Sequence, residues 1–402
     1  MPRVLVVTGM THFGHGGIQR ETDRLLISMR AGGAAIALAS DRAPGEYEPS
    51  LVGLEHFPLA YPWDAASEHD LSRAIEAFAP DVIHVIGGGA RLLTHVTTHV
   101  SVPVVLTIHC VPPFEQTAPA FFGINAAYRT LRNLIRSPRH ALWSRVLGAG
   151  RFTHAITHSQ AILESALRAG CAGTKLRNIP LGWEPSPIAS KRVGANIGAT
   201  FSIVSVGGMV HHKGHHDTLR AMAAAREHLP HARLTILGEN RQPKYYTWLR
   251  GLCTRLGLDD IVTIIADAPE HERASALANA DLYVQASHEE GFCLSFIEAA
   301  GIVPRLVGTR TGAIAAVAGG DPLARVVTPG DPISIAHALR ALEALPASER
   351  AIADRVARLR REFSWAAHAE AHVAIYREAV TESRVLAKGS SRSSLPAAPA
   401  PS

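Results

Sequence analysis

The chain has 402 residues, 47% hydrophobic and 19% charged, which excludes a disordered protein and is long enough for two hydrophobic cores. No apolar run approaches the about 20 residues of a membrane-spanning helix, and the short apolar N-terminal run lacks a signal-peptide cleavage site, so it predicts a first strand. The net charge of +5 suits an anionic partner, whether nucleic acid, lipid or phosphorylated small molecule.

Short apolar segments alternate with helix-like segments along the whole chain. The predicted strands cover 3–7, 34–39, 81–86, 102–108 and 154–157 in the first half, and 201–206, 233–238, 261–265, 281–286 and 305–308 in the second. Continuous apolar strands are typical of parallel sheets covered on both faces. Their alternation with helices predicts two Rossmann-like, doubly wound α/β domains.

A Pro-, Gly- and Ser-containing stretch without apolar periodicity, 184–200, marks the predicted domain boundary. We assign 1–185 to the first domain and 186–363 to the second. Residues 364–386 are predicted to form a terminal helix, and the Ser-, Pro- and Ala-rich residues 387–402 are expected to be disordered.

The strongest site signal is the stretch ADLYVQASHEEGFCLSFIEAAG, residues 280–301. A strand is predicted to end at 285 or 286, followed by a loop with Glu290 and a helix that begins near Leu294. Ligands of open α/β sheets bind at the carboxyl ends of strands, and a helix N-terminus attracts phosphate. Glu298 lies one turn into the helix, able to face the same cavity as Glu290. The spacing alone fits two solvated surface acids equally well.

Four histidines surround Lys213 in GGMVHHKGHHDTL, residues 207–219. Their i, i+4 spacing is that of metal ligands on one helix, but Gly214 falls where the helix should begin. Asp217 could add one ligand, yet no carboxylate or cysteine cluster completes a site, so we predict no metal site. Lys213 lies between a predicted strand and an amphipathic helix, where a cation belongs beside an anion.

Eight segments, in the matching order and over nearly the whole chain, resemble the GT-B family of retaining glycosyltransferases of the family 4 type. Glu290 and Glu298, with seven residues between them, resemble the family's E-x7-E motif, and the segment around Lys213 resembles its Lys-Gly pair. The other segments are LTILGENRQPKYYTWLRGLCTRLGLDDIVTII, VVTPGDPISIAHAL, FSWAAHAEAHVAIYREAV, GHGGIQRETDRL, PDVIHVIG and VPVVLTIHC.

The resemblance implies a retaining hexosyltransferase with two Rossmann-like domains facing a cleft. The second domain would bind a nucleotide diphosphate sugar, and the first would bind most of the acceptor. By the same resemblance Lys213 binds the diphosphate, Glu298 binds the ribose hydroxyls and Glu290 supports positive charge on the donor sugar. His109, which ends a predicted strand, would contact that sugar near the reacting centre. The residues alone fit a packed core histidine there.

Further donor-binding positions follow from the resemblance and from the strand ends: Gly207, Gly208, Asp267, Gly291, Phe292, Cys293 and Leu294. Backbone N–H groups from Phe292 to Leu294 would hold the leaving diphosphate. Gly16 and Gly17 form a loop that lets the backbone approach a phosphate or the acceptor. Because no D-x-D motif occurs, we expect no catalytic metal and no cofactor besides the donor.

The sequence departs from the family pattern at three places. Gly208 occupies the position five residues before the lysine where the family has an arginine, and Arg241 or Arg310 could supply the missing guanidinium. Cys293 replaces a usual glycine, and TRTGAIAAV, 309–317, departs from a Gly-Gly-x-x-Glu pattern. Pocket shape around Asp267, Glu239 and the 309–313 loop would set the base and sugar preference.

A basic segment without Asp or Glu runs from 116 to 160, with its arginines concentrated in 124–151, and Arg129, Arg132 and Arg136 share a predicted helix with apolar residues. It fits contact with an anionic membrane as well as it fits an ordinary helix with a basic face. We expect a cytoplasmic protein with four reduced cysteines, free or peripheral on the inner face of the plasma membrane. A saccharide or lipid-linked acceptor in bacterial surface polysaccharide assembly is expected, and nucleic acid is not.

Two other function classes remain open at this stage. One is a sugar-nucleotide epimerase or a phosphorylase on the same fold. The other is a degenerate nucleotide-binding module, which the glycine at Gly208 favours. The simultaneous presence of Glu290, Glu298, Lys213 and His109 argues against the degenerate module, since a decayed site has no physical need for all four.

Overall fold

A computed structural model describes eight ranges of the chain: 1–8, 17–46, 48–60, 63–87, 90–109, 145–148, 152–186 and 200–392. Within these ranges, all strands belong to two parallel sheets. No helix in these ranges combines the length and the hydropathy that crossing a bilayer requires.

The first sheet has the strand order β3-β2-β1-β4-β5-β6-β7, with every neighbouring pair parallel. Its strands are β1 Val4–Val7, β2 Ile36–Ser40, β3 Glu55–Pro58, β4 Val82–Ile86, β5 Val104–Ile108, β6 His154–Thr157 and β7 Leu176–Asn178. The helices between them are α1 Gly17–Ala31, α2 Ala65–Phe78, α3 Ala90–His99 and α4 Gln160–Arg168.

The second sheet repeats the same winding, with the order β10-β9-β8-β11-β12-β13 and parallel pairing throughout. Its strands are β8 Phe201–Val206, β9 Ala232–Gly238, β10 Val262–Ala266, β11 Leu282–Gln285, β12 Arg305–Thr309 and β13 Ala324–Val327. The helices are α5 His215–Ala225, α6 Pro243–Arg255, α7 Glu270–Ala278, α8 Leu294–Ala300, α9 Ile314–Ala318, α10 Pro332–Glu343 and α11 Glu349–Glu362.

Alternating side chains of each sheet pack into separate cores on its two faces. In β1, Leu5 belongs to one buried cluster of the first sheet and Val6 to the other. In β8, Ile203 and Val204 divide in the same way between the two clusters of the second sheet. This double coverage explains why the apolar runs in the sequence are continuous, and it confirms the doubly wound fold class.

All ten predicted strands are present, and three further strands were missed. These are β3, β7 and β13, which lie at the edge of a sheet in the order given above. Edge strands are covered on fewer sides, and β3 is only partly buried. They are therefore short and mixed in polarity, and lack the continuous apolar run from which the other ten were predicted.

The terminal helix α12, Trp365–Arg392, begins in the second core and ends against the first. Trp365 packs in a cluster of the second sheet, whereas Tyr376 packs in a cluster of the first. There the Tyr376 hydroxyl hydrogen-bonds Nδ1 of His84 at 2.7 Å. The helix runs six residues past the predicted end at 386, because no proline interrupts the chain before Pro396. The predicted disordered tail, 387–402, was therefore placed to begin too early.

The turn before α5 requires a glycine for two separate reasons. Gly214 has φ of 68°, and a Cβ at this position would overlap the carbonyl oxygen of Ala286, which follows β11. The loops after β8 and β11 can approach each other only because this side chain is absent.

We predict that Gly214→Ala lowers the free energy of unfolding by more than about 3 kcal/mol, because it adds steric overlap to the left-handed backbone strain. Gly320→Ala is the matched control, since Gly320 has φ of 73° with no atom within 4 Å of an added Cβ. Strain alone should cost this control about 1–2 kcal/mol. Urea unfolding of both variants measures the difference, and equal losses would show that the contact with Ala286 is unimportant.

Candidate active site

The candidate site lies where the strand order of the second sheet reverses, between β8 and β11. In open α/β sheets, ligands bind at the carboxyl ends of strands at such a switch point. Lys213 follows β8, and Glu290 follows β11. As predicted, β11 ends at Gln285 and α8 begins at Leu294.

Lys213 and Glu290 form a buried ion pair across the switch point. The Lys213 Nζ donates to both carboxylate oxygens of Glu290, at 2.7 and 2.9 Å. The Glu290 side chain is 7% exposed and the Lys213 side chain 21%. Burial raises the pKa of Glu290, but the charge and hydrogen bond of Lys213 outweigh burial and hold that pKa below its ordinary value. Burial lowers the pKa of Lys213, and Glu290 outweighs it in the same way, so both groups stay charged.

A chain of hydrogen bonds fixes Glu290 from behind. Ser287 donates its hydroxyl to Glu290 Oε1 at 2.6 Å, and the Gln285 side-chain amide donates to the Ser287 oxygen at 2.7 Å. The hydroxyl of Tyr283, a fully buried residue of β11, donates to Gln285 Oε1 at 2.6 Å. The carboxylate is therefore held in one orientation without help from a ligand.

The loop after β12 covers the other side of Glu290. A Cβ at Gly312 would lie 2.8 Å from the Cβ of Glu290, and the Ala313 N–H donates to the Phe292 carbonyl at 2.9 Å. Thr309 donates its hydroxyl to the Ser287 carbonyl at 2.5 Å. Although 309–317 departs from the family pattern, this segment still packs against the acidic loop.

The four histidines around Lys213 are mostly internal to the fold. As predicted, His211 and His212 precede the helix, in a short 3-10 turn, and His215 begins α5. Nε2 of His215 donates to the Gly207 carbonyl at 3.1 Å, which fixes the loop after β8. Burial lowers the pKa of each ring, to about 4 for His211, His212 and His215 and to about 3 for His216.

The fold brings a further histidine to this cluster, His288 from the loop after β11. Its Nε2 donates to Asp217 Oδ2 at 2.7 Å, and Arg220 donates to Asp217 Oδ1 at 2.9 Å. Potential ligand atoms of His216, Asp217 and His288 lie within 4.8 Å of one another. The sequence analysis did not foresee this grouping, because His288 is distant in sequence. Both oxygens of Asp217 already accept hydrogen bonds from cationic or ring N–H groups.

Arg241 lies against Gly208, the position where the family has an arginine. A Cβ at Gly208 would be 3.3 Å from Cδ of Arg241 and 3.6 Å from its Nε. Arg241 is exposed, and its Nε donates to Glu239 at 2.6 Å. Its guanidinium therefore occupies the surroundings of the missing side chain. Arg310 follows β12, and its backbone N–H donates to Val327 at 2.9 Å.

Two predicted donor-binding residues have strained backbones. Asp267 has φ of 57° and Cys293 has φ of 83°, and among the described non-glycine residues only Ala79 shares a positive φ. The Asp267 carboxylate accepts from the Asn240 N–H at 2.8 Å, which holds the loops after β9 and β10 together. The left-handed backbone at Cys293 explains why a glycine is usual at this position. No side chain caps the first turn of α8, which follows Cys293.

Contacts between the two domains close one side of the cleft. Arg20, in the first turn of α1, forms an ion pair with Glu298, and both side chains are partly exposed. Gly17 begins α1, where a Cβ would lie 3.7 Å from the Leu294 side chain. Ser159 donates its hydroxyl to the Gly291 carbonyl at 2.6 Å. Glu298 thus pairs with the first domain, whereas Glu290 pairs with Lys213.

His109 lies at the carboxyl end of β5 within a buried polar cluster. Its Nδ1 is 3.3 Å from Glu21 Oε2, and Nε2 of His158, which follows β6, is 2.8 Å from Glu21 Oε1. Burial raises the pKa of Glu21, but the two histidines outweigh burial and lower it to about 2. Burial lowers the pKa of His109 to about 4, whereas Glu21 outweighs burial at His158 and raises its pKa. The His109 ring is therefore part of an ionic cluster with Glu21 and His158, and its role at the donor sugar stays a prediction.

Sequence reasoning missed Glu21, His158, Arg20 and His288. A usable signal existed for His158, which directly follows a predicted strand, as His109 does. The carboxyl ends of adjacent parallel strands meet at one edge of a sheet, so the two rings were bound to be close. Gly16 and most of the basic segment 124–151 lie outside the described residues, so the predictions for them stay predictions.

Comparison with known proteins gives matches over both domains. Residues 15–186 match the model described as Glycosyltransferase Family 4, and residues 190–359 match that described as Glycosyl transferases group 1. An MMP α-(1→4)-mannosyltransferase from Mycolicibacterium hassiacum is 35% identical over 131 residues. That alignment covers 32% of this chain and 32% of the relative, so it spans about a third of either protein.

Solved structures with the same fold cover almost the whole chain. A sucrose-phosphate synthase from Thermosynechococcus elongatus superposes with a TM-score of 0.72 at 18% identity, covering 94% of this chain and 99% of that one. HepE from Anabaena, solved in complex with UDP and glucose, has a TM-score of 0.68 at 14% identity, covering 93% and 99%. With both domain models matched in order, the chain belongs to the family 4 type of GT-B glycosyltransferases.

Proposed function

We propose that this enzyme moves a hexose, with retention at the anomeric carbon, from a nucleotide diphosphate sugar to a saccharide or lipid-linked acceptor. Its setting would be bacterial surface polysaccharide assembly, on the cytoplasmic side of the membrane. The mannosyltransferase relative supports a hexose, and the UDP and glucose bound by HepE support a nucleotide-sugar donor. The observation that carries the proposal is the buried ion pair between Lys213 and Glu290.

In this proposal, Lys213 binds the donor diphosphate. Its ammonium group is fixed at the switch point by Glu290, so little side-chain reorganisation is needed when the anion arrives. Lys213 would then stabilise the negative charge that develops on the leaving diphosphate. Glu290 would accept hydrogen bonds from the donor sugar and favour positive charge on its ring.

Arg241 is proposed to supply the guanidinium that the family carries at the position of Gly208. Its stem already lies against the Gly208 backbone. A planar guanidinium can bind a phosphate with two parallel hydrogen bonds, which a lysine cannot. With Lys213 and Arg241 both at the diphosphate, we propose that the leaving group is stabilised by side chains and not by a metal ion.

The first domain is proposed to complete the site from across the cleft. His109 would contact the donor sugar, and Glu298 would accept the ribose hydroxyls. Because Glu298 is already paired with Arg20, nucleotide binding would exchange an exposed ion pair for hydrogen bonds to the ribose. Such a pair is worth about 0–1 kcal/mol, so the exchange costs little.

We predict that one of UDP, GDP, ADP and CDP raises the melting temperature by roughly 3 °C or more at about 100 times its Kd. Lys213→Met should abolish the shift, because it removes the proposed diphosphate cation. Lys244→Met is the control, since Lys244 is an exposed lysine of the same domain.

Lys213→Met also leaves the Glu290 carboxylate buried without its partner, which costs about 3–5 kcal/mol of stability. The double variant Lys213→Met/Glu290→Gln removes both charges and should regain part of that loss, so it provides a folded protein for the same screen. If any of the four nucleotides still shifted the double variant as far as the parent, Lys213 would not be the diphosphate ligand.

We predict that Arg241→Ala raises the Kd of the preferred nucleoside diphosphate about 10- to 100-fold, through loss of charge-assisted hydrogen bonds. The Kd of the matching nucleoside should change little, because it has no phosphate. Arg233→Ala is the control. Arg233 lies near the start of β9, whereas the candidate site lies beyond the other end of this strand, at Gly238. Titration calorimetry measures the Kd of the diphosphate and of the nucleoside for the parent protein, Arg241→Ala and Arg233→Ala. An unchanged diphosphate affinity in Arg241→Ala, with a loss in Arg310→Ala, would transfer the role to Arg310.

Retention is tested on the slow hydrolysis of the donor without an acceptor. Proton NMR should detect released sugar with the anomeric configuration of the donor before mutarotation scrambles it. Release of the opposite anomer would establish inversion. An epimerase would release free nucleotide and an altered sugar, which the same spectra distinguish.

A further inference from the structure

Three side chains of the first domain converge on one point beside the cleft. Glu21 comes from α1, and His109 and His158 follow the adjacent strands β5 and β6. Potential ligand atoms of the three residues lie within 4.8 Å of one another. The two rings lie side by side because β5 and β6 are adjacent, and the Glu21 carboxylate of α1 lies between them.

These side chains are enclosed, and the Glu21 carboxylate lies between the two rings, 2.8 Å from Nε2 of His158 and 3.3 Å from Nδ1 of His109. The Glu21 and His158 side chains are 1% and 2% exposed, and that of His109 is 15% exposed. Apart from the two histidine rings, neither oxygen of Glu21 has a hydrogen-bond partner among the described residues. Buried polar atoms in proteins are nearly always hydrogen-bonded, and a buried carboxylate needs a cation.

The proton on His158 is fixed by its other nitrogen. Nδ1 of His158 is 2.7 Å from the Ile179 carbonyl oxygen, which can only accept, so Nδ1 must carry a hydrogen. A neutral His158 therefore directs the lone pair of Nε2 at the carboxylate, 2.8 Å away. Two lone pairs at this distance repel each other, so the contact requires either a proton or a metal ion between the two atoms. A backbone carbonyl on the distal nitrogen is also the usual arrangement of a metal-binding histidine.

We propose that Glu21, His109 and His158 bind a divalent transition-metal ion of the zinc class. Two imidazoles and one carboxylate suit Zn²⁺ and its neighbours, whereas Ca²⁺ and Mg²⁺ prefer oxygen ligands alone. The ion would bind the Glu21 carboxylate, Nδ1 of His109 and Nε2 of His158 together. A single proton on His158 would satisfy only that ring and one carboxylate oxygen.

The observed separations suit such an ion. Bonds of about 2.0–2.2 Å hold tetrahedral ligand atoms about 3.3–3.6 Å apart. Oε2 of Glu21 lies 3.3 Å from Nδ1 of His109, which fits this range, whereas Oε1 lies 2.8 Å from Nε2 of His158, so the ion would move this pair apart by about 0.5 Å. The second cluster among the described residues, His216, Asp217 and His288, differs because the Arg220 guanidinium already supplies a permanent positive charge to Asp217.

The ion would not touch the donor diphosphate, which we assign to the second domain. The metal ion would affect the reaction through His109. This role rests on the proposed function, in which His109 contacts the donor sugar. With Nδ1 bound to the metal, the ring hydrogen of His109 must sit on Nε2, so the ring acts only as a donor. The ion is thus a positioning element, and its binding can be measured without any nucleotide or acceptor.

Metal binding is tested on the full chain after removal of metal with a chelator. We expect one equivalent of Zn²⁺ or Co²⁺ to bind in calorimetry, and the Co²⁺ form to absorb in the visible range. Glu21→Gln and His158→Gln should each weaken binding at least 100-fold. His288→Gln, which alters the other cluster, is the matched control and should bind as the parent does.

X-ray absorption of the Zn²⁺-loaded parent needs no variant and should show two imidazole ligands and a carboxylate. Absence of stoichiometric binding in the parent would overturn the proposal in favour of a proton on His158. Loss of binding in His288→Gln but not in Glu21→Gln would overturn it in favour of the second cluster. A nucleotide shift in the metal-free protein leaves the proposed transferase function standing whatever the metal result.

Discussion

The candidate site depends on one buried ion pair, Lys213 with Glu290. A carboxylate that is 7% exposed is tolerated in this position only because an ammonium group meets both of its oxygens. The pair can form only if the loops after β8 and β11 approach each other, and that approach needs the missing side chain of Gly214. Backbone strain at Cys293 belongs to the same constraint, because it turns the chain from the acidic loop into α8.

The two domains treat a buried carboxylate at the cleft in different ways. In the second domain, Glu290 is neutralised by a lysine and braced by hydrogen bonds from β11. In the first domain, Glu21 is faced by two histidines, the nearer with its Nε2 at 2.8 Å. A lysine carries its own charge, whereas a histidine must acquire a proton or a metal ion to play that part. The Lys213–Glu290 pair therefore balances its charges without any group from solution, whereas the Glu21 cluster needs a proton or a metal ion.

Sequence reasoning recovered the fold because parallel strands buried on both faces leave long apolar runs. It also located the end of β11 and the start of α8, since a strand, an acidic loop and a helix differ strongly in composition. It could not pair Lys213 with Glu290 or His288 with Asp217, because each contact joins loops that only the winding of the sheet brings together. The edge strands β3, β7 and β13 escaped notice for a related reason, since partial exposure removes the apolar signal.

The terminal helix α12 has a consequence for how the two halves of the enzyme move. The chain passes from the first core to the second near Trp183 and returns near Phe363, and these two points are joined by a backbone hydrogen bond of 2.7 Å. A ring atom of Trp365 fills the place where Gly182 has no side chain, which packs the two crossings together. Two covalent links side by side act as a single pivot. Across the cleft, the ion pair of Arg20 with Glu298 is partly exposed and cheap to break. The two domains are thus joined covalently at one end, whereas contacts such as the Arg20–Glu298 pair and the Ser159–Gly291 hydrogen bond join them at the other without covalent bonds, so separation of the domains would begin there.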